Sequence, residues 1–96
     1  MSMNCINHHY KETKGELQRA HQRLLNALRG IPVQFRSGEM SEVIREMEAV
    51  DIDSVDAIKA HSERAINVVG NTPIQYITNE AVDAAKHFER CLSAIQ

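Results

Sequence analysis

Pro32-Val33-Gln34-Phe35-Arg36-Ser37 and Pro73-Ile74-Gln75-Tyr76-Ile77-Thr78 are two versions of one segment. Each places a proline, an aliphatic residue, a glutamine and an aromatic ring in the same order. Each ends on a hydroxyl residue suited to open a helix by accepting a hydrogen bond from an amide of its first turn. The two lie 41 residues apart, and at that offset Arg23 to Glu39 and Arg64 to Glu80 share five identities: Arg23/Arg64, Asn26/Asn67, Pro32/Pro73, Gln34/Gln75 and Glu39/Glu80. Average composition gives roughly one over such a length. Leu25/Ile66, Leu28/Val69, Val33/Ile74, Phe35/Tyr76 and Ser37/Thr78 are conservative pairs, and beyond Glu39 the apolar positions stay in phase as Met40/Ala81, Val43/Ala84, Ile44/Ala85, Met47/Phe88 and Val50/Cys91. Any two amphipathic hairpins slide into helical phase, so the shared Pro-x-Gln-aromatic segment is what makes this match specific.

Outward from these segments the apolar residues recur at three, four and seven, the spacing of a helix with one buried stripe. Tyr10, Leu17, Ala20, Leu24, Ala27, Leu28 and Ile31 predict a helix over about 9–30, stopped by Gly30 and Pro32. Met40, Val43, Ile44, Met47 and Val50 predict a second over about 39–50. Asp53 is the expected cap of a third helix, with Val55, Ile58, Ala65, Ile66 and Val69 inward and Gly70 near its end, and Thr78 opens a fourth carrying Ala81, Ala84, Ala85, Phe88, Cys91, Leu92 and Ile95. The fold expected is all-α: a four-helix bundle in one domain, 1–96, made of two tandem helix-loop-helix repeats, about 9–50 and about 53–96, related by an approximate two-fold axis. Solenoids need about three such units to bury a continuous core, so two units are expected to close on each other. Both repeated loops then fall at one end of the bundle. Their alternation of apolar and polar residues predicts extended backbone, with Val33 and Phe35, or Ile74 and Tyr76, turned inward as a cap or paired as a two-stranded ribbon.

A chain of 96 residues with 43% hydrophobic residues and no Trp is large enough to bury an aliphatic core without disulfide or metal. The net charge of -2 argues neither for a polyanion binder nor for a disordered acidic tail, both of which need a strong imbalance. Its distribution is uneven: residues 1–36 hold six bases against Glu12 and Glu16, a net of +4, and residues 37–56 hold seven acids against Arg45, a net of -6. Cys5 and Cys91 are isolated thiols without a secretory signal, which fits a reducing compartment and makes a cytoplasmic location the expectation. No apolar run approaches the eighteen or so residues of a membrane span, so no membrane is expected.

Few residue groups suggest chemistry. Cys5-x2-His8 and His87-x3-Cys91 have the donor types and local spacings of a zinc site. The repeat speaks against it, since Cys91 falls opposite Val50, a core position, and His87 opposite Glu46, a solvent-facing one. No metal or other cofactor is therefore expected. His21 and His61 lack a nucleophile or carboxylate at catalytic spacing and read as boundary residues, and Glu42 and Glu46, one turn apart, read as a solvated face. The scattered Gly15, Gly30, Gly38 and Gly70 form no phosphate loop. No active site is legible and no enzymatic activity is expected.

Arg23/Arg64 and Asn26/Asn67 recur where helical periodicity does not demand them. The structural expectation is that each Arg pairs with an acid on a neighbouring helix and each Asn satisfies backbone groups of the following loop. The functional one is a duplicated pocket of Arg23, Asn26 and Gln34 with Arg64, Asn67 and Gln75. The second and third helices imitate a helix-turn-helix, but a net of -6 around them opposes docking on phosphates. In the basic first helix, Glu16 stands three residues before Arg19, a natural intrahelical pair. The expectation is a non-enzymatic module that binds another protein or itself as a homodimer, the opposite charges of the first two helices providing docking onto a polarised partner or a second copy. The alternatives are nucleic-acid binding through the first helix and a small metal or ligand binder.

Overall fold

A computed structural model describes residues 2–95, with side chains described from Thr13 to Ile95. Four α-helices follow in order: α1 (Ser2–Arg29), α2 (Gly38–Ala49), α3 (Val55–Asn71) and α4 (Asn79–Ile95). No strand occurs among the described residues. Around the bundle each helix packs on its chain neighbours, α4 closes the ring against α1, and α1 meets α3 across the diagonal. The protein is an all-α four-helix bundle, as the periodicity predicts.

The helix ends follow from local chemistry. The Gly30 amide donates to the Asn26 carbonyl and the Ile31 amide to that of Leu28, both at 3.1 Å. The terminal carbonyls of Arg29 and Ile31 then accept 2.8 Å hydrogen bonds from the Arg36 guanidinium. A cation there satisfies groups that the helix itself leaves unpaired and meets the negative end of its dipole. Ser37 Oγ accepts from the Met40 amide and Thr78 Oγ1 from that of Ala81, each at 3.0 Å, opening α2 and α4 as expected.

Three boundaries differ from the sequence reading. α1 begins at Ser2 rather than near residue 9. The polar Met1–Tyr10 segment shows no clean apolar stripe, yet few of its residues oppose helix extension. α3 is capped by Ser54, not Asp53: Ser54 Oγ accepts from the Ala57 amide at 3.1 Å, and α3 starts at Val55. Upstream, Asp51 Oδ1 takes the Asp53 amide at 3.0 Å and the Ser54 amide reaches the Asp51 carbonyl, a tight turn closed by Asp51.

The third difference concerns the repeated loops. Val33–Phe35 and Ile74–Tyr76 are single turns of 3-10 helix, not extended strands, and they form no ribbon. Pro32 (φ -53°, ψ 142°) and Pro73 (φ -55°, ψ 144°) enter these turns with nearly identical backbone angles. Their carbonyls accept from the Phe35 and Tyr76 amides at 2.9 Å. A 3-10 turn has three residues per turn, so the aliphatic residue and the ring no longer share a side as they would in a strand. The two loops do lie together at one end, where the Phe35 and Tyr76 rings stack with centroids 5.2 Å apart.

The core is aliphatic: Leu17, Leu24, Leu28, Met40 and Ala84 are fully excluded from water, as is Phe88. Burying a side chain of this size contributes about 1.5–3 kcal/mol in transfer free energy. From Leu17 onward the inward faces match the periodic stripes, with Ile66, Val50, Val55 and Ile95 at their half-buried margins, while Tyr10 lies outside the residues with described side chains. His21 departs from its expected place at the boundary. It is only 4% exposed and packs edge-on against Phe88, centroids 6.0 Å apart.

Candidate functional site

The paired positions at offset 41 meet across the molecule. Arg23 on α1 makes a bidentate bond to Glu80 on α4, Nε to Oε2 at 2.8 Å and Nη2 to Oε1 at 3.0 Å. Arg64 on α3 reaches Glu39 on α2 at 3.4 Å, and goes on to Glu42 at 2.5 Å and Glu46 at 2.6 Å. The arginine of each half thus finds the glutamate that opens the helix after the other half's loop. The Glu80 carboxyl is held below its ordinary range by the hydrogen bond from Arg23, and both guanidinium groups are pushed further toward the charged form by their glutamate partners. Apart from Glu46, these groups are substantially exposed, so the pairs orient helices more than they stabilise them.

Glu42 and Glu46 share one guanidinium and point to it rather than into a cleft. Glu46 Oε1 is buried without a hydrogen-bond partner, 3.9 Å from His61 Nδ1. This is an ion-pair network along the α2–α3 seam, with no nucleophile in it. His21 Nδ1 is likewise buried and unpartnered. Burial lowers the His21 pKa, so the ring is neutral at neutral pH.

The six positions of the postulated duplicated pocket do not converge. Asn26 accepts a 2.9 Å hydrogen bond from Gln22 rather than serving the following loop, and it borders an open hollow of about 470 Å³ with Arg23 and Glu80. Asn67 is exposed on a different surface, a shallow depression between α3 and α4. Gln34 edges a groove of about 690 Å³ at the loop end, beside Phe35, Asn71 and Tyr76. Gln75 is exposed on the neighbouring loop.

Cys5 and His8 lie outside the residues with described side chains. Cys91 is a buried free thiol whose pKa is raised chiefly by burial, and His87 is half-buried, facing Glu16, Arg19 and Arg23. No group of three His, Cys, Asp or Glu side chains gathers as a metal site among the described residues.

The charge asymmetry of the chain is largely spent inside the molecule. Arg29 bonds Glu48 at 2.7 and 2.9 Å, Arg23 and Arg64 are paired, and Arg36 caps α1. No ion pair joins Glu16 to Arg19; the Arg19 guanidinium lies over Gly15 instead. Lys14 and Arg19 are what remains of the basic face among the described residues of α1.

One surface stands out, and it was misread from sequence. At the loop end Val33 is 72% exposed and Ile74 88%, on the same two turns that carry the stacked, half-exposed rings of Phe35 and Tyr76. The alternation of the loops hid this. The usable signal was their length: from a proline to a hydroxyl cap only four residues intervene, room for one tight turn and not for a strand.

Fold and surface together define a small helical bundle with an apolar tip. No family model, curated protein or solved structure matches the chain. No helix is long and apolar enough to cross a membrane among the described residues.

Proposed function

We propose that the protein is a small non-enzymatic helical module that acts by binding another protein through the loop end of its bundle. The observation that carries this reading is the exposure of Val33 and Ile74 on the two turns that also hold the Phe35–Tyr76 stack. Single exposed apolar residues are ordinary, but aliphatic side chains grouped with two rings on one tip are the usual mark of a contact surface. Nucleic-acid binding through α1 has less support, because Arg23, Arg29 and Arg36 are engaged within the molecule and cannot release counterions from phosphates without breaking those bonds.

The tandem-repeat reading belongs with this function, since it explains why the tip is made twice. Its support is the recurrence at offset 41 of the proline angles, the 3-10 turns, the hydroxyl caps and the reciprocal Arg–Glu pairs.

The test is affinity capture from native extract with the wild-type chain and with the double variant Val33→Asp, Ile74→Asp. Both positions are exposed, so the variant keeps its fold and its melting temperature. A partner retained by the wild type and lost by the variant supports the reading. Capture that is the same for both removes the tip as the binding surface.

A further inference from the structure

We infer that the groove at the loop end seats an arginine side chain of the bound partner, its guanidinium forked onto Glu39. This rests on reading the loop end as a protein-binding surface and names what that surface recognises.

Glu39 and Glu80 occupy matching positions in the first turns of α2 and α4, yet the two carboxylates are held unequally. Glu80 takes both arms of the Arg23 fork, at 2.8 and 3.0 Å, so both of its oxygens are engaged. Glu39 takes only a 3.4 Å bond from Arg64 Nε, because the shorter bonds of that guanidinium go to Glu42 at 2.5 Å and Glu46 at 2.6 Å. Its Oε2 has no hydrogen bond or ion pair among the described residues. A partner's arginine would give Glu39 the fork that Arg23 gives Glu80.

The surroundings fit that guest. A groove of about 690 Å³ lies between the two loops and the adjoining ends of α2 and α3, lined by Glu39, the rings of Phe35 and Tyr76, Val68, and the carboxamides of Gln34 and Asn71. Arginine joins an apolar stem, suited to the ring walls, to a planar head that forks onto a carboxylate and stacks on aromatic faces. The carboxamides remain for the partner's backbone. Arg36 also borders the groove, but two of its nitrogens donate at 2.8 Å to carbonyls at the end of α1, where the helix dipole is negative. Its charge is answered there.

The sign of the guest follows from the balance around the groove. Residues 38–71 hold eight acids against Arg45, Lys59 and Arg64, a net of -5, and along the α2–α3 seam Glu39, Glu42 and Glu46 share one guanidinium. An acidic segment is repelled from this wall, and an arginine-bearing one is drawn to it.

The test is a titration of the isotope-labelled full chain with the capped tripeptide valine-arginine-valine, followed by amide chemical shifts. Saturable shifts at Gln34, Phe35, Glu39, Asn71 and Tyr76 are expected, with a Kd on the order of 1 mM. Citrulline in place of arginine keeps the shape and removes the charge, and it should weaken binding about fivefold. Glu39→Gln should do the same at an unchanged melting temperature, whereas Glu80→Gln, at the matching position, leaves the affinity as it was. No saturable binding up to about 20 mM peptide overturns the proposal. So do shifts centred on Asp51 to Asp56, affinity that survives Glu39→Gln or citrulline, or a lysine tripeptide bound as tightly. Any of these results together with tip-dependent capture of a protein in the experiment above sinks the arginine seat alone. Failure of both experiments sinks the interaction reading with it.

Discussion

The two halves of the bundle fill the same positions with opposite strategies. Facing the core, α2 presents Met40, Val43, Ile44 and Met47, whereas the matching positions of α4 hold Ala81, Ala84, Ala85 and Phe88. Three alanines let α4 lie close to α1, and the most extensive helix contact in the molecule is this one. Phe88 then restores the lost volume in a single side chain, packed against His21. Equal helical phase thus tolerates unequal division of volume, because a core requires filled space more than a particular residue at each place.

The largest expected effect comes from undoing that concentration of volume. Phe88→Ala should cost about 3–5 kcal/mol, and Met47→Ala at the matching position about 2–5, with Phe88 the worse of the two in chemical denaturation. Equal losses would show that α2 and α4 divide the core more evenly than their packing suggests. Next, Ala84→Leu should lose about 1–3 kcal/mol, because Ala84 is fully buried where α1 comes close. A neutral result would mean that the α1–α4 contact has room to spare.

A smaller effect distinguishes the buried polar residues at matching positions, His21 and Ser62. Ser62 Oγ donates to the Lys59 carbonyl at 2.8 Å, while His21 Nδ1 has no partner. Burial lowers the folded-state pKa of His21 below that of an ordinary imidazole, so the unfolded chain takes up the proton first. The stability this group contributes is therefore present above about pH 6.5 and is lost as pH falls from there toward the folded-state value. Thermal melts from pH 7 downward should show a decline that His21→Leu reduces, with stability at pH 7 kept; an unchanged slope would assign the decline to other groups.

The caps and the arginines sharpen the comparison last. Ser37→Ala and Thr78→Ala should each cost about 1 kcal/mol, and a marked inequality would show that the two loops are not energetically alike. Arg64→Met should lower the melting temperature more than Arg23→Met, because it leaves Glu39, Glu42 and Glu46 facing one another, whereas Arg23 leaves Glu80 near Asp83. High salt should shrink the difference; persistence in high salt would point to packing of the arginine stems instead.

Helix number, the inward faces and the two hydroxyl caps were legible in the sequence because each depends on residues within a turn or two of one another. Ser54 displaced Asp53 as a cap for an equally local reason, the turn that Asp51 closes on itself. The loops were misjudged because strand-like alternation over so few residues does not distinguish a strand from a 3-10 turn. The candidate pocket was legible only in part: Arg23 and Asn26, three residues apart on α1, border one hollow, whereas Gln34 lies on the 3-10 turn and edges a different groove.

By itself the sequence determined an all-helical chain whose four apolar stripes require a common core, since periodicity is a property of neighbouring residues. Only the tertiary structure decided that Arg23 reaches Glu80 and Arg64 reaches Glu39, that His21 is buried against Phe88, and that Val33 and Ile74 are left facing water. Each of these depends on residues from different helices or on the direction in which a turn is wound, and local spacing carries no record of either.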